Sequence, residues 1–249
     1  SIVANDLALL PITLYGTQEQ KERFIKPVAE KGSFASFCLS EPGAGSDAGS
    51  ISTTAIEENG EYVINGVKQW ISNGGVASQY TVFATLDKSK RHKGIGCFVV
   101  PRETMGVVPG EHENKLGQRC SNTVQVTFDN VRVPKSNLIG QEGQGFKVAM
   151  HTLDCTRPMT AIIAVGVARA GLEHSLRYSK ERKQFGQSIS SFQAVQIMLA
   201  DMATDIEAAR LLTLRSAAML DAGLNASLVS SMAKRFSADM AMRATTDAV

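Results

Sequence analysis

Val124, Val126 and Phe128 alternate with Gln125 and Thr127, a period of two that turns one face of a strand inward. Later the period changes. Phe192, Val195, Leu199, Met202, Ile206 and Ala209 recur at steps of three and four, which lines them along one helix face. Residues 1–36 also read as helical: Gly16 can stop one helix, Thr17-Gln18-Glu19-Gln20 has the capping-box pattern that starts the next, and Phe24, Ile25 and Val28 form its apolar face. Residues 37–134 hold short β runs, and Asn59-Gly60 and Asn65-Gly66 can supply the positive φ angles of tight hairpin turns, which predicts an antiparallel β domain. From 135 onward the loop Ile139–Gly145 leads into helices that reach Val249, with Gly223 between the last two and Pro158 inside the first. The expected class is α+β, in the order helices, β domain, helices.

At 249 residues the chain can bury one large core or two ordinary ones. A net charge of +2 is too small to argue for nucleic acid or an anionic membrane surface. Met159–Leu172, the most apolar stretch, is interrupted by Thr160 and Arg169 and is shorter than the roughly 20 residues of a membrane span. Cys38, Cys97, Cys120 and Cys155 show neither CxxC spacing nor a dense disulfide framework, which suits a reducing compartment and a protein that is not secreted. The first residue is Ser1, inside a helical pattern, so the chain reads as a piece lacking its start.

Four segments can carry chemistry. Phe37–Asp47 contains Ser40-Glu41-Pro42-Gly43-Ala44-Gly45-Ser46, whose glycines let main-chain N–H groups approach a flat or anionic ligand; singly, it also reads as a Pro-Gly turn. Its glycine spacing and the β run that follows exclude a Rossmann fingerprint. Lys68–Gly75 holds the only tryptophan, Trp70, which can cover an aromatic cofactor or serve as core. In Asp154-Cys155-Thr156-Arg157-Pro158, Arg157 stands in an apolar stretch and needs a carboxylate, phosphate or carbonyl partner. Lys180, Arg182 and Lys183 form a cationic cluster suited to phosphate, or to an ordinary solvated helix end. His92, His112, His151 and His174 have neither metal-ligand spacing nor a nucleophile partner, so zinc and Ser-His-Asp chemistry find no support and no metal is expected.

Together, Ser40–Asp47, Trp70–Gly74, Gly117-Gln118-Arg119-Cys120-Ser121 and Glu181–Gly186 resemble the acyl-CoA dehydrogenase family in order and spacing, with the Asp154–Pro158 and Gln118–Ser121 stretches most similar to its medium-chain type. The resemblance implies a helical N-terminal remnant (1–36), a central antiparallel β-barrel domain (37–134) and an incomplete C-terminal helical bundle (135–249). It implies FAD as cofactor, with Phe37, Leu39, Ser40, Gly45, Ser46, Trp70, Ile71 and Ser72 lining the isoalloxazine. Arg182, Gln184, Phe185 and Gln193 match positions that reach the FAD of a neighbouring subunit, which implies a homo-oligomer, usually a tetramer. Ser46, Asp154, Thr156 and Arg157 match positions around the acyl-CoA thioester and its pantetheine arm.

The implied reaction is oxidation of an acyl-CoA to a trans-2-enoyl-CoA in fatty-acid β-oxidation, with electrons leaving to an electron-transferring flavoprotein in a bacterial cytoplasm or mitochondrial matrix. The family's glutamate base is expected beyond Val249, and the alternative base position is occupied by Thr156. Two other readings share the features: an acyl-CoA oxidase or flavin monooxygenase of the same fold, and a non-catalytic binding or assembly module.

Overall fold

A computed structural model describes residues 2–249, so the expected start at Ser1 lies outside the described residues. Three helices open it: α1 (Ile2–Tyr15), α2 (Gln18–Phe24) and α3 (Lys26–Lys31). A Cβ at Gly16 would stand 2.5 Å from Ile12 O, the acceptor of the Gly16 N–H, so glycine permits α1 to end there. The capping box forms: Thr17 Oγ1 accepts from the Gln20 N–H at 3.2 Å and Gln20 Oε1 from the Thr17 N–H at 2.9 Å. The helix expected through Phe24, Ile25 and Val28 is split at Ile25, because Pro27 is favoured in the first turn of a helix and disfavoured within one.

The β elements are β1 (Phe34–Cys38), β2 (Thr54–Glu58), β3 (Glu61–Ser72), β4 (Ala77–Thr85), β5 (Ile95–Pro101), β6 (Val107–His112) and β7 (Thr123–Pro134). They form one curled sheet in the order β1-β4-β2-β3-β7-β6, with β5 also on β4. β2 and β4 meet only at Thr54 and Thr85. Tyr62 and Ile64 of β3, Tyr80 and Val82 of β4, Phe98 of β5, and Val126 and Phe128 of β7 share one core. Phe83, Cys97 and Val99, on the opposite parity of β4 and β5, join Ile12, Phe24, Val148 and Ala149 in a second. β4 and β5 are thus covered on both faces and are buried along almost their whole length, polar residues of β4 included, whereas β7 keeps its alternation.

Two expectations are corrected here. The sheet is not wholly antiparallel, since β1 runs parallel to β4; a long connection containing two other strands joins them, so no tight turn dictates their direction. Asn59-Gly60 does make the β2–β3 turn with φ of 53° and 86°, but Asn65-Gly66 lies inside β3 at a register shift. Gly66 is needed there for close approach: at φ 153°, its Cβ would sit 2.4 Å from Thr53 Oγ1.

The chain forms two compact units, one ending at Leu153 and the other spanning Asp154–Val249, with the boundary inside α4 (Gly145–Glu181). α1–α3 therefore belong to the same unit as the sheet. In the second unit α4 continues through Pro158, the hairpin β8 (Lys183–Gln184) and β9 (Gln187–Ser188) follows, and α5 (Gln193–Asp221) and α6 (Ser227–Asp247) complete a three-helix assembly. Its core contains Val165, Ala168, Met202, Ile206, Ala209 and Met240, and Gly223, at φ 67°, separates the last two helices.

Lys68 is wholly buried, and its Nζ donates to Leu39 O at 3.0 Å and to Glu41 Oε1 at 2.8 Å. Glu41 Oε1 also accepts from the Thr53 N–H at 3.0 Å, while Oε2 accepts from the Ser52 N–H at 2.6 Å and the Ser52 hydroxyl at 2.7 Å. Burial alone would raise the Glu41 pKa; the Lys68 ammonium and the hydrogen bonds from Lys68, Thr53 and Ser52 outweigh it and hold the carboxyl at about 2, against an ordinary 4.5. Because the folded state favours the carboxylate, this contribution is complete above pH 4.5 and is lost as the pH falls through about 2. Lys68→Met, which leaves the carboxylate buried without a cation, should destabilise the unit by about 3–5 kcal/mol, read as a lower urea midpoint, with Glu41→Gln/Lys68→Met recovering most of it. Glu41→Gln should also flatten the midpoint's fall between pH 4.5 and 2; the same slope in both proteins would refute the assignment.

Candidate functional site

The segment after β1 leaves the sheet as a tight turn, with the Glu41 N–H donating to Ala44 O at 2.9 Å and the Ala44 N–H to Glu41 O at 3.1 Å. Phe37 is half-buried, its ring 4.9 Å from that of Phe83, and the Leu39 side chain lies in the helix-covered core. Ser40 is half-buried, while Gly45 and Ser46 are exposed. The glycines are informative. Neither Gly43 nor Gly45 has a positive φ, and a Cβ at either would meet nothing within 4 Å. Neither turn geometry nor packing inside the chain demands glycine there, so the pattern fits a surface kept bare for something that approaches from outside.

Trp70 lies in an irregular part of β3, where pairing shifts between Lys68 and Ile71. Its φ is 60°, strained for a bulky residue, and the residue is 62% exposed. A bulge re-aims side chains in this way. Ile71 points into the sheet core and so can offer a ligand only its main chain, whereas Ser72 is half-buried. The Gln69 N–H donates to Ser40 O at 2.9 Å, joining the glycine loop to the Trp70 strand. The Gly117–Ser121 motif is tied to the same strand end through the next residue, Asn122, whose O accepts from the Asn73 N–H and Oδ1 from the Gly75 N–H, both at 2.7 Å. Three of the motifs therefore converge in the first unit.

In the second unit Arg157 finds its partner in the Asp154 carboxylate one helical turn earlier. Thr156 is 4% exposed. Cys155, between them, has its thiol pushed up by burial and then by the Asp154 charge. Phe185-Gly186 forms the β8–β9 turn with φ of 52° and 78°, and Phe185 is 92% exposed with its ring edge-on to Phe192 at 6.1 Å. Arg182, Gln184 and Gln193 are exposed on the same hairpin and at the first residue of α5. Among the described residues, Lys180, Arg182 and Lys183 enter no ion pair within 4.0 Å, so their charges face solvent.

His151 Nδ1 bonds Tyr15 OH at 2.8 Å and His112 Nδ1 bonds Glu113 O at 3.0 Å. Among the described residues no group of three His, Cys, Asp or Glu side chains could hold a metal, and no helix is long and apolar enough to cross a membrane. Sequence reasoning missed Lys68, Ser52, Thr53 and Asn122 as supports of the site. The one available signal was a lysine two residues before Trp70 in an otherwise half-apolar strand.

Residues 36–131 match the acyl-CoA dehydrogenase middle domain and residues 143–249 the acyl-CoA dehydrogenase C-terminal domain. The chain is 45% identical over 239 residues to an acyl-CoA dehydrogenase of Bacillus subtilis, covering 96% of this chain and 63% of that protein. It is 43% identical over 247 residues to the mitochondrial short-chain specific acyl-CoA dehydrogenase of Rattus norvegicus, covering 99% of this chain and 60% of that one. The structure of butyryl-CoA dehydrogenase from Megasphaera elsdenii superposes with a TM-score of 0.97 at 42% identity, over 99% of this chain and 65% of that one. The chain thus spans less than two thirds of these relatives. Two domain matches in the family's order, agreeing with the curled sheet and the helices that follow it, show that this chain belongs to the acyl-CoA dehydrogenase family.

Proposed function

We propose that the first unit binds the isoalloxazine of FAD between the Ser40–Ser46 loop and Trp70, as part of an enzyme that oxidises an acyl-CoA to its trans-2-enoyl form. The observation that carries this reading is the pairing of a strained, exposed indole with a glycine loop bare on its outer side, the two joined by the Gln69–Ser40 hydrogen bond. A flat aromatic group suits that surface. Bound there, FAD would supply an acceptor for the hydride that leaves the β-carbon, with an electron-transferring flavoprotein as the onward electron acceptor.

The roles of the chain's own residues follow. Ser40, whose hydroxyl makes no hydrogen bond to another described residue, and Ser72 offer donors to the polar edge of the ring, while Trp70 covers it. Phe37, Gly45 and the Ile71 main chain complete the lining. Arg182, Gln184, Phe185 and Gln193, exposed and with no charge partner, serve the FAD of a neighbouring subunit in a homotetramer. Ser46, exposed on the same loop, offers its hydroxyl to the acyl-CoA thioester. The α-proton needs a carboxylate base, and Thr156, at one of the two positions the family uses, carries a hydroxyl; the base is therefore assigned to the other position, outside residues 1–249. The short-chain relative and the butyryl-CoA dehydrogenase structure favour a short acyl-CoA over the medium-chain type that the motifs suggested.

Trp70→Ala should weaken FAD binding by about 2- to 10-fold and shift the bound flavin's absorption, since an aromatic contact contributes about 0.5–1.5 kcal/mol. Unchanged affinity and spectrum would remove Trp70 from the site. Arg182→Ala should lower FAD occupancy and subunit assembly together, measured by flavin content and sedimentation; a fully flavinylated monomer at micromolar concentration would contradict the shared site. Mixed anaerobically with butyryl-CoA, the 249-residue protein should not bleach, and Thr156→Glu should raise the rate, general-base catalysis being worth about 10²–10⁴-fold. Rapid bleaching that the substitution does not accelerate would show that another residue already acts as base.

A further inference from the structure

We propose that Glu41 and Lys68 are positioning residues of the flavin site, coupling the Ser40 main chain to the bulge that presents Trp70 so that the two contacts are held as one piece. The inference rests on the flavin reading above but has a readout of its own. Regular pairing of β3 with β7 stops at Lys68–Val126 and resumes at Ile71–Val124, so β3 takes three steps where β7 takes two. One residue is extra, and the bulge needs support from elsewhere.

That support comes from the glycine loop. The Gln69 N–H donates to Ser40 O at 2.9 Å, and the Gln69 side chain donates to Glu113 Oε1 at 2.8 Å. Immediately before it, Lys68 Nζ reaches Leu39 O and Glu41 Oε1. Leu39, Ser40 and Glu41 are thus each held by Lys68 or Gln69, the two residues that precede Trp70. On its other side the Glu41 carboxylate is filled by Ser52 and Thr53, just before β2, which closes the base of the loop.

An apolar pair of similar volume would be about as stable as a buried ion pair, or more so, and stability alone does not call for this one. What an apolar pair cannot do is direct hydrogen bonds to a carbonyl and to two separate main-chain N–H groups at once. The geometry therefore points to orientation of the loop as the pair's contribution.

Trp70 is the chain's only tryptophan, so its fluorescence reports on the bulge without any cofactor. Emission maximum and acrylamide quenching would be compared in the unmodified protein, Lys68→Met and Glu41→Gln/Lys68→Met, with urea midpoints and FAD titrations on the same samples. The double variant leaves no charge unpaired and keeps the comparison available if Lys68→Met fails to fold. The expected result is a double variant with most of its stability restored, a shifted and more readily quenched Trp70, and FAD affinity still down by about 10-fold, or about 1.4 kcal/mol. Return of emission, quenching and FAD affinity to the unmodified values would overturn the proposal, leaving the pair a purely structural role. If the unmodified protein binds no FAD while Trp70 still responds to both variants, the flavin reading falls and the coupling stands. An unresponsive Trp70 in the folded double variant overturns the coupling whatever FAD does.

Discussion

Two opposite charges, Lys68 and Glu41, sit together out of water beneath the glycine loop, and the local architecture follows from what they require. An ammonium and a carboxylate withdrawn from solvent are tolerated only when paired and when their remaining hydrogen-bonding capacity is met. Ser52 and Thr53 meet it for the carboxylate, and Leu39 O takes a second of the ammonium's donors. Satisfying the charges therefore brings together the end of β1, the approach to β2 and the middle of β3, although no strand pairing joins β1 to β3. The stretch from Pro42 to Ser50 can then remain largely exposed and glycine-rich, because both its ends are held.

The sheet supplies the second constraint. β4 and β5 are buried on both faces, by the curled sheet on one side and by α1, α2 and the first turn of α4 on the other. β1 runs parallel to a strand that cannot shift without disturbing two cores, so it delivers Leu39 and Ser40 at a defined level. Strain appears beside this rigid base: Trp70 and Asn73 both have positive φ at the end of β3, where Asn122 ties down the following turn.

In the second unit the same contrast holds on a smaller scale. α5 and α6 pack through Met202, Ile206, Ala209 and Met240, and they pair small buried hydroxyls across their contact, Ser216 with Ser230 at 2.8 Å and Thr213 with Ser237 at 3.4 Å. The hairpin that follows α4 instead exposes Phe185 with φ at 52°, an arrangement met within this chain only by the edge of the Phe192 ring among the described residues. Side chains presented in this way suit contact with another molecule, which is why the proposed neighbour's cofactor accounts for them better than a solvated helix end does.

The sequence by itself determined the elements whose signals are local. The period of two in β7, the burial of Met202, Ile206 and Ala209 on α5, the Thr17–Gln20 capping box, the Asn59-Gly60 turn and the family-bearing motifs all depend on residues a few positions apart. Tertiary structure decided the rest. Asn65-Gly66 carries the same turn chemistry as Asn59-Gly60, yet it lies within a strand, where its glycine admits the close approach of Thr53, the residue before β2. The direction of β1, the convergence of the Ser40, Trp70 and Asn122 segments, and the partnership of Lys68 with a glutamate 27 residues away were likewise not legible. Local patterning records which way a side chain faces along its own strand or helix; whether a lysine is buried, and against what, depends on the free energy of docking distant elements together.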